Sequence, residues 1–163
     1  MSINIVLVEP EIPQNTGKIA RTCAAIGATL HLIKPLGFDI SEKAVKRAGL
    51  DYWDKVKVIE YENLQDFLTK NPDCLGNMYL LTTKAKKVYS DAKYKDGCYL
   101  LFGKETKGLP EDFILQNFDS AVRIPMGYNI RSLNLSNSVA IVAYEAEKQL
   151  NFSGLEETSK YFN

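Results

Sequence analysis

Short, mainly apolar runs recur along the chain, and each is bounded by Gly, Pro or polar residues. Runs of four to six residues with such boundaries predict buried β-strands. The predicted strands are Ile3–Val8, Thr29–Ile33, Val56–Tyr61, Met78–Thr83, Cys98–Phe102 and Ala121–Ile124.

Several segments between these runs have the apolar spacing of helices. The first such stripe consists of Ile19, Cys23 and Ile26. It predicts a helix that Asn15 or Thr16 caps and that Gly27 ends. Ser41–Arg47 and Asn63–Lys70 predict two further short helices.

The last predicted helix, Leu135–Leu150, is apolar on more than one side. One stripe at helical spacing consists of Leu135, Val139, Val142, Ala146 and Leu150. Ile141 and Tyr144 lie off this stripe. A helix with this distribution is usually buried on two faces.

The alternation of strands and helices predicts the fold class. It indicates an α/β fold with a mostly parallel sheet and helices on both faces. The length of 163 residues is enough for one domain with a full core. We expect this domain to cover residues 1–150, followed by a tail, 151–163, that has few apolar residues.

Composition argues against several classes of function. The net charge of zero weakens the case for a nucleic-acid partner without excluding it, because a basic patch can lie on a neutral protein. Three cysteines without CxxC spacing and a single histidine argue against a disulfide framework, a metal site and a Ser-His-Asp hydrolase. They favour a reducing cytoplasm. No apolar run reaches the roughly 18 residues of a membrane span, and no signal peptide is predicted.

The turns that follow the strands are the candidate sites, because open α/β sheets bind ligands beyond the carboxyl ends of their strands. Three polar turns stand out, namely Pro13–Arg21, Phe102–Pro110 and Ile124–Ser138. The second has two glycines at P-loop spacing but lacks the Lys-Ser/Thr that follows them, and a GxGxxG motif is absent. Each turn alone could also be structural: a surface helix, a glycine turn or a capped helix start.

Taken together and in order, these turns resemble the three motifs of the SPOUT class of RNA methyltransferases. The matching residues are Asn15-x-Gly17-x-x-x-Arg21, Phe102–Pro110, and Ile124-Pro125-Met126 with Ser132–Ser136. Three further stretches are similar to the small single-domain members that methylate the wobble ribose of tRNA. They are Asn4–Pro13, Arg47–Trp53 and Leu81–Lys84.

The resemblance implies a fold, a cofactor and partners. It implies a C-terminal trefoil knot (the SPOUT, or α/β-knot, fold), although threaded chains are rare among proteins generally. It also implies that S-adenosyl-L-methionine is the methyl donor, that no metal is needed, and that the protein is a homodimer. The acceptor would be the ribose 2′-hydroxyl of cytidine 34 or a modified uridine 34 in the tRNA anticodon stem-loop, with leucine isoacceptors as the expected substrates.

Residue roles follow from the matched motifs. The implied cofactor-binding residues are Leu81, Gly103, Ile124, Met126, Ser132 and Leu133, and the implied catalytic residues are Arg21, Ser132 and Asn134. Arg21 is a candidate base by resemblance, but an arginine stays protonated in proteins. Pairing with the target phosphate and stabilising the ionised hydroxyl is the role that we expect. Ser132 or Asn134 would position the hydroxyl.

Basic groups could supply phosphate contacts to tRNA, although each alone is more commonly a solvated face. They are Lys43-Lys46-Arg47, Lys84-Lys86-Lys87 and Lys93-Lys95. Tyr128 and Arg131 could meet the anticodon nucleotide, since an unstacked base can rest on an aromatic ring. We expect His31, which lies in a strand, to be structural.

Other functions remain open on the sequence. A related enzyme could methylate the ribose of an rRNA or of another tRNA position, and a non-catalytic RNA-binding module could retain the fold. The intact Arg21, Gly103 and Ser132 argue against the second alternative. A Rossmann-type nucleotide enzyme is disfavoured by the absence of GxGxxG.

Overall fold

Seven parallel strands form one sheet in the computed structural model, which describes residues 2–41 and 52–162. The strands are β1 (Asn4–Val8), β2 (Thr29–Ile33), β3 (Val58–Tyr61), β4 (Met78–Leu81), β5 (Lys87–Val88), β6 (Tyr99–Phe102) and β7 (Ala121–Arg123). Their order across the sheet is β3-β2-β1-β6-β4-β7-β5. Because every pair is parallel, all carboxyl ends lie at one edge of the sheet.

Helices cover both faces of this sheet. They are α1 (Pro13–Ile26), α2 (Leu64–Lys70), α3 (Glu111–Gln116) and α4 (Leu135–Gln149). Buried side chains of α1 and α4 pack in one apolar cluster with Ile5, Leu30 and Leu100. Buried side chains of α2 and α3 pack in a second cluster with Val6 and Leu101. Alternate residues of the central strands therefore face two separate cores, as expected for a sheet buried on both sides.

The predicted α/β class is confirmed, and each predicted strand is present with its ends shortened by no more than two residues. The two-residue strand β5 and the short helix α3 were not predicted. Asn63 caps α2 by accepting the N–H of Asp66, and Gly27 ends α1 at a φ of 71°. The helix predicted at Ser41–Arg47 lies, apart from Ser41, outside the described residues.

The predicted cap of α1 was wrong. The helix begins at Pro13, and Ile12 holds the N-cap position without a side-chain hydrogen bond. Proline at the first helical position has its φ preset and no N–H to satisfy, so this start needs less capping. Asn15 and Thr16 are instead buried within the first turns of the helix.

One face of α4 is buried and another is open in the single chain. Val139, Val142 and Ala146 are fully buried. Ile141 and Tyr144 remain 37% and 45% exposed. The second burial face that the sequence predicts is therefore not covered within this chain.

His31 is part of a buried hydrogen-bond network, as a structural histidine would be. Its Nδ1 lies 2.9 Å from the Tyr61 hydroxyl, and its Nε2 lies 2.9 Å from Oδ1 of Asn4. The Asn71 amide donates to the same Tyr61 hydroxyl at 3.2 Å. We refer to Asn4, His31, Tyr61 and Asn71 as the His31 network. Burial lowers the pKa of His31 to about 4, so the ring is neutral at physiological pH.

The proposed tail begins in contact with the body of the protein. The N–H of Phe152 donates to the carbonyl of Glu147, and Leu155 packs against the first core. Tyr161 and Phe162, in contrast, are more than four-fifths exposed. The domain boundary at residue 150 stays a prediction. None of the described helices has both the length and the apolar character of a membrane span.

Candidate active site

Loops from the carboxyl ends of β4, β6 and β7 enclose a cavity of about 690 Å³, which we call the motif cavity. Its remaining wall comes from the start of α1, through Ile12 and Asn15, and from the start of α4. The three motif turns are far apart in sequence. They meet here because β4 lies between β6 and β7, with β1 next to β6.

Seven of the eight predicted site residues line the motif cavity. They are Leu81, Gly103, Ile124, Met126, Ser132, Leu133 and Asn134. The exception is Arg21, which lies on the exposed side of α1 with its guanidinium carbon 4.9 Å from the ring centroid of Tyr52. The cavity of a single chain therefore contains the predicted cofactor-binding residues, but it does not contain the arginine predicted for the acceptor.

The cavity wall carries apolar and cationic side chains beside the Glu105 carboxylate and several neutral polar residues. The apolar part includes Leu81, Phe102, Leu109, Ile124, Met126 and Leu133. The cationic part consists of Lys84, Lys104, Lys107 and Arg131. Such a wall fits a ligand that joins a flat, largely apolar nucleoside to a charged amino-acid end, because each part finds complementary groups.

Gly103 is required by the protein's own backbone. A Cβ at this position would lie 1.9 Å from the carbonyl carbon of Gly108 and 2.0 Å from the nitrogen of Leu109. The loop also folds back through a 2.8 Å hydrogen bond from the N–H of Gly108 to the carbonyl of Lys104. Here Gly108 has a φ of 73°, a conformation that glycine adopts without strain. The resemblance assigns Gly103 to the cofactor, whereas the group that approaches it closely in the structure is this loop itself.

Asn134 connects two of the motif turns. Its Oδ1 caps α4 by accepting the N–H of Ser136 at 2.9 Å, and its amide donates to Oδ1 of Asn15 at 3.1 Å. The amide of Asn15 donates in turn to Glu105 at 3.1 Å. We refer to Glu105, Asn15, Asn134 and Ser136 as the Asn134 network. It joins the starts of both long helices to the loop that follows β6.

Two glutamates, Glu11 and Glu105, link the segment that leads into the first motif turn to the second motif turn. The Glu105 carboxylate accepts the N–H groups of Glu11 and Ile12 at 2.8 and 3.0 Å. The Glu11 carboxylate accepts the N–H and the hydroxyl of Thr106 at 3.0 and 2.8 Å, and these hydrogen bonds lower the pKa of Glu11. The only signal in the sequence was an acidic residue after each of two predicted strands. Their pairing depends on β1 and β6 being neighbours.

The mouth of the cavity carries exposed groups suited to a large ligand. Tyr128 is 99% exposed and Ile130 is 58% exposed, in the same loop as the cavity-lining Arg131. The hydroxyl-bearing Ser132 is exposed at the cavity. Lys84 forms an ion pair with Glu111 at 2.5 Å. No cluster of three or more potential metal ligands occurs among residues 2–41 and 52–162.

Comparison with known proteins gives consistent results over nearly the full chain. The family model described as the SpoU rRNA Methylase family matches residues 2–144. A Lactococcus lactis subsp. cremoris (strain MG1363) protein, provisionally named a tRNA (cytidine(34)-2′-O)-methyltransferase, is 52% identical over 162 residues, which are 97% of this chain and 95% of that protein.

Two solved structures are also similar. One, from Bacillus anthracis and provisionally described as an RNA methyltransferase, matches with a TM-score of 0.91 at 49% identity and covers 96% of this chain and 99% of that chain. Another, from work on the 2-OH methylation of C/U34 on tRNA, matches with a TM-score of 0.85 at 41% identity and covers 93% and 97% of the two chains.

Proposed function

The chain belongs to the SpoU rRNA methylase family, and we propose that it transfers a methyl group from S-adenosyl-L-methionine to the ribose 2′-hydroxyl of nucleotide 34 in tRNA. The acceptor nucleotide is cytidine or a modified uridine. The observation that carries this proposal is the motif cavity, which three turns distant in sequence build from the residues that the resemblance assigns to the cofactor. The near-full-length similarity to a relative named for this reaction supports the choice of substrate.

The residues of the cavity suit each part of the cofactor. Leu81, Ile124, Met126 and Leu133 would enclose the adenosine, and backbone groups of their loops would bind the adenine edge. Lys107 supplies the positive charge that the carboxylate of the cofactor needs, since Lys84 and Lys104 form ion pairs with Glu111 and Glu9. When bound, the cofactor supplies an electrophilic methyl group on a sulfonium.

The protein's own contribution to the reaction is chiefly alignment. In-line methyl transfer forms a C–O bond as the C–S bond breaks, and its rate depends on holding the three reacting atoms in line. Ser132 and Asn134 border the cavity and can orient the hydroxyl, which releases its proton to solvent water as the C–O bond forms. The Asn134 network fixes Asn134 in place. Arg21 would hold the target phosphate and stabilise negative charge on the 2′-oxygen.

The position of Arg21 favours a site that two chains complete. Arg21 lies outside the cavity of its own chain, and α4 exposes Ile141 and Tyr144. We propose a homodimer in which this open face of α4 is buried and Arg21 acts on an acceptor held between the subunits. Sedimentation should therefore give a dimer, and a monomer of 18.3 kDa at assay concentration would overturn this arrangement.

We further propose the trefoil knot that the resemblance implies for the C-terminal part. The chain passes from β6 across β4 to β7 and then returns as α4 to pack against α1, an order that is compatible with such a knot. We infer that the enzyme acts in the cytoplasm, where its substrate is found. All three cysteines, Cys23, Cys74 and Cys98, are free and buried, as suits a reducing compartment.

The decisive experiment supplies the enzyme with anticodon stem-loops and labelled S-adenosyl-L-methionine. Mass spectrometry should locate one methyl group on the ribose of C34 or U34, and a stem-loop with 2′-deoxycytidine at position 34 should remain unmodified. Leucine isoacceptors should be better substrates than others. Methylation of a base, or of an rRNA fragment in place of the stem-loop, would contradict the proposal. Titration calorimetry should show micromolar binding of S-adenosylhomocysteine.

A further inference from the structure

A second cavity, of about 470 Å³, lies directly beside the motif cavity, and we call it the side cavity. The two cavities share four lining residues, Lys104, Lys107, Gly108 and Leu109. A group in the side cavity can thus be covalently attached to a group at the edge of the motif cavity. None of the roles derived above uses this space.

The side cavity has an apolar side and four charged lining residues, of which Glu9 and Lys104 form one pair of opposite charges. Pro110 is exposed at the cavity, and the buried Val8 and Leu109 lie behind its apolar side. Nζ of Lys104 lies 3.7 Å from Oε1 of Glu9, which is longer than a hydrogen bond. Both groups therefore keep hydrogen-bonding capacity for a ligand. The remaining charged residues are Lys107 and Glu111, and the Glu111 carboxylate is already held by Lys84.

The backbone at Glu9 is strained. Its φ is 56°, in the left-handed region that residues other than Gly, Asn and Asp rarely adopt. A 2.9 Å hydrogen bond from its N–H to the carbonyl of Ile33 holds this conformation at the end of β1. Strain of this kind concentrates at ligand-binding positions, where it aims a side chain that a relaxed backbone would direct elsewhere.

We propose that the side cavity receives the base of nucleotide 34, and that Glu9 and Lys104 bind its Watson–Crick edge. This inference rests on the proposed function, since it requires the ribose of the same nucleotide to lie at the motif cavity. One face of the base contacts Pro110. Unstacked bases in anticodon loops are recognised in this way, by apolar contact with their faces and hydrogen bonds to their edges.

The pair of charges can bind either pyrimidine. For cytosine, the N4 amino group donates to the Glu9 carboxylate, and Lys104 donates to N3 or O2. For uracil, N3–H donates to Glu9, and Lys104 donates to O4 or O2. One acceptor beside one donor therefore accommodates both pyrimidines with a small shift of the ring.

The test compares two stem-loops, one with C34 and one with an abasic ribonucleotide at position 34 that keeps its 2′-hydroxyl. Binding to wild-type protein and to Glu9→Gln is measured by fluorescence anisotropy. Glu9→Gln should bind the C34 stem-loop about tenfold more weakly, because its neutral amide oxygen accepts a weaker hydrogen bond than the carboxylate does. It should bind the abasic stem-loop as tightly as wild-type protein does. Lys104→Met should behave in the same way.

Glu60→Gln is the matched control, because Glu60 forms a similarly long 3.8 Å ion pair with Lys34 at the β3 edge of the sheet. It should bind both stem-loops like wild-type protein. An equal penalty on the C34 and abasic stem-loops, or no penalty on either, would overturn the base pocket. Wild-type methylation of the C34 stem-loop is scored separately, so an active enzyme with an equal penalty contradicts the pocket and leaves the proposed function intact.

Discussion

The His31 network and the Asn134 network each join three or more segments of the chain by hydrogen bonds, yet their surroundings are opposite. The side chain of His31 is bounded by the rings of Tyr61, Phe67 and Tyr99, whose centroids lie 5.5–5.8 Å from its own. Members of the Asn134 network instead line a cavity of about 690 Å³. One network is closed by packing, and the other is open to a ligand.

This difference separates a structural polar cluster from a functional one. Both ring nitrogens of His31 have partners and only 2% of the residue is exposed, so it has no capacity left for a ligand. The side-chain oxygen of Asn134 caps α4, and its amide donates to Asn15. These two hydrogen bonds orient the cavity wall. Buried polar residues therefore identify a binding site only where a cavity lies beside them.

The largest expected effect comes from adding a side-chain atom at Gly103, where the loop after β6 folds back onto its own backbone beside the motif cavity. In Gly103→Ala, the new Cβ would meet the backbone of Gly108 and Leu109, so the loop must move. We expect S-adenosylhomocysteine binding to fall below detection in calorimetry, with a loss of stability of about 3 kcal/mol. Gly76→Ala is the control, since no atom lies within 4 Å of a Cβ there. Wild-type affinity in Gly103→Ala would show that the loop does not form the cofactor site.

The second effect tests whether Arg21, which lies outside the motif cavity of its own chain, takes part in the reaction. Arg21→Ala should reduce turnover about a hundredfold, as expected for a charge that stabilises the transition state. The affinity for S-adenosylhomocysteine should not change, because Arg21 does not line the motif cavity. Lys18→Ala, an exposed lysine one turn earlier on α1, serves as the control. Unchanged turnover in Arg21→Ala would remove its assigned role.

The third effect tests the His31 network through the pH dependence of the free energy of unfolding. The folded pKa of His31, about 4, lies below the ordinary value of 6.5, so the unfolded chain binds a proton that the folded chain does not between these values. Stability should therefore fall as pH drops from 6.5 to 4, by up to about 1.4 kcal/mol per pH unit from this residue.

Urea unfolding of wild-type protein and His31→Gln between pH 7.5 and 4 isolates this contribution. Burial raises the pKa of Glu147, but that residue titrates in both proteins and cancels in the difference. The difference in unfolding free energy should shrink as pH falls. If the unfolding free energies of the two proteins changed with pH in the same way, folding would not lower the pKa of His31. The His31 network would then not be closed to solvent.

The smallest effect separates the two roles of Asn134. Asn134→Ala should lower the unfolding free energy by about 1 kcal/mol, because α4 loses its cap. Asn134→Asp keeps a capping oxygen and should retain stability, but it cannot donate to Asn15. Both variants should lose turnover in the stem-loop assay. Full turnover in Asn134→Asp would show that the link to Asn15 has no role in the reaction.

Local chain preferences allowed much of the fold to be predicted. Apolar runs located the strands, and Asn63 and Gly27 marked helix boundaries, because these signals act over a few residues. Strand β5 was missed because two residues, Lys87 and Val88, carry no periodicity. The start of α1 was placed too late because Asn15 has the side chain of a cap, but its partners are Glu105 and Asn134, which lie 90 and 119 residues away.

The sequence by itself determined an α/β chain of alternating strands and helices, and its three motif turns determined the family. Only the tertiary structure decided that β4 lies between β6 and β7, which brings those turns to one cavity, and that Arg21 lies outside it. It also decided that Glu11 and Glu105 fasten two turns together and that Glu9 lies beside Lys104. The physical reason is that helix and strand signals are local, whereas cavities and hydrogen-bond networks form between segments whose proximity depends on the order of strands in the sheet.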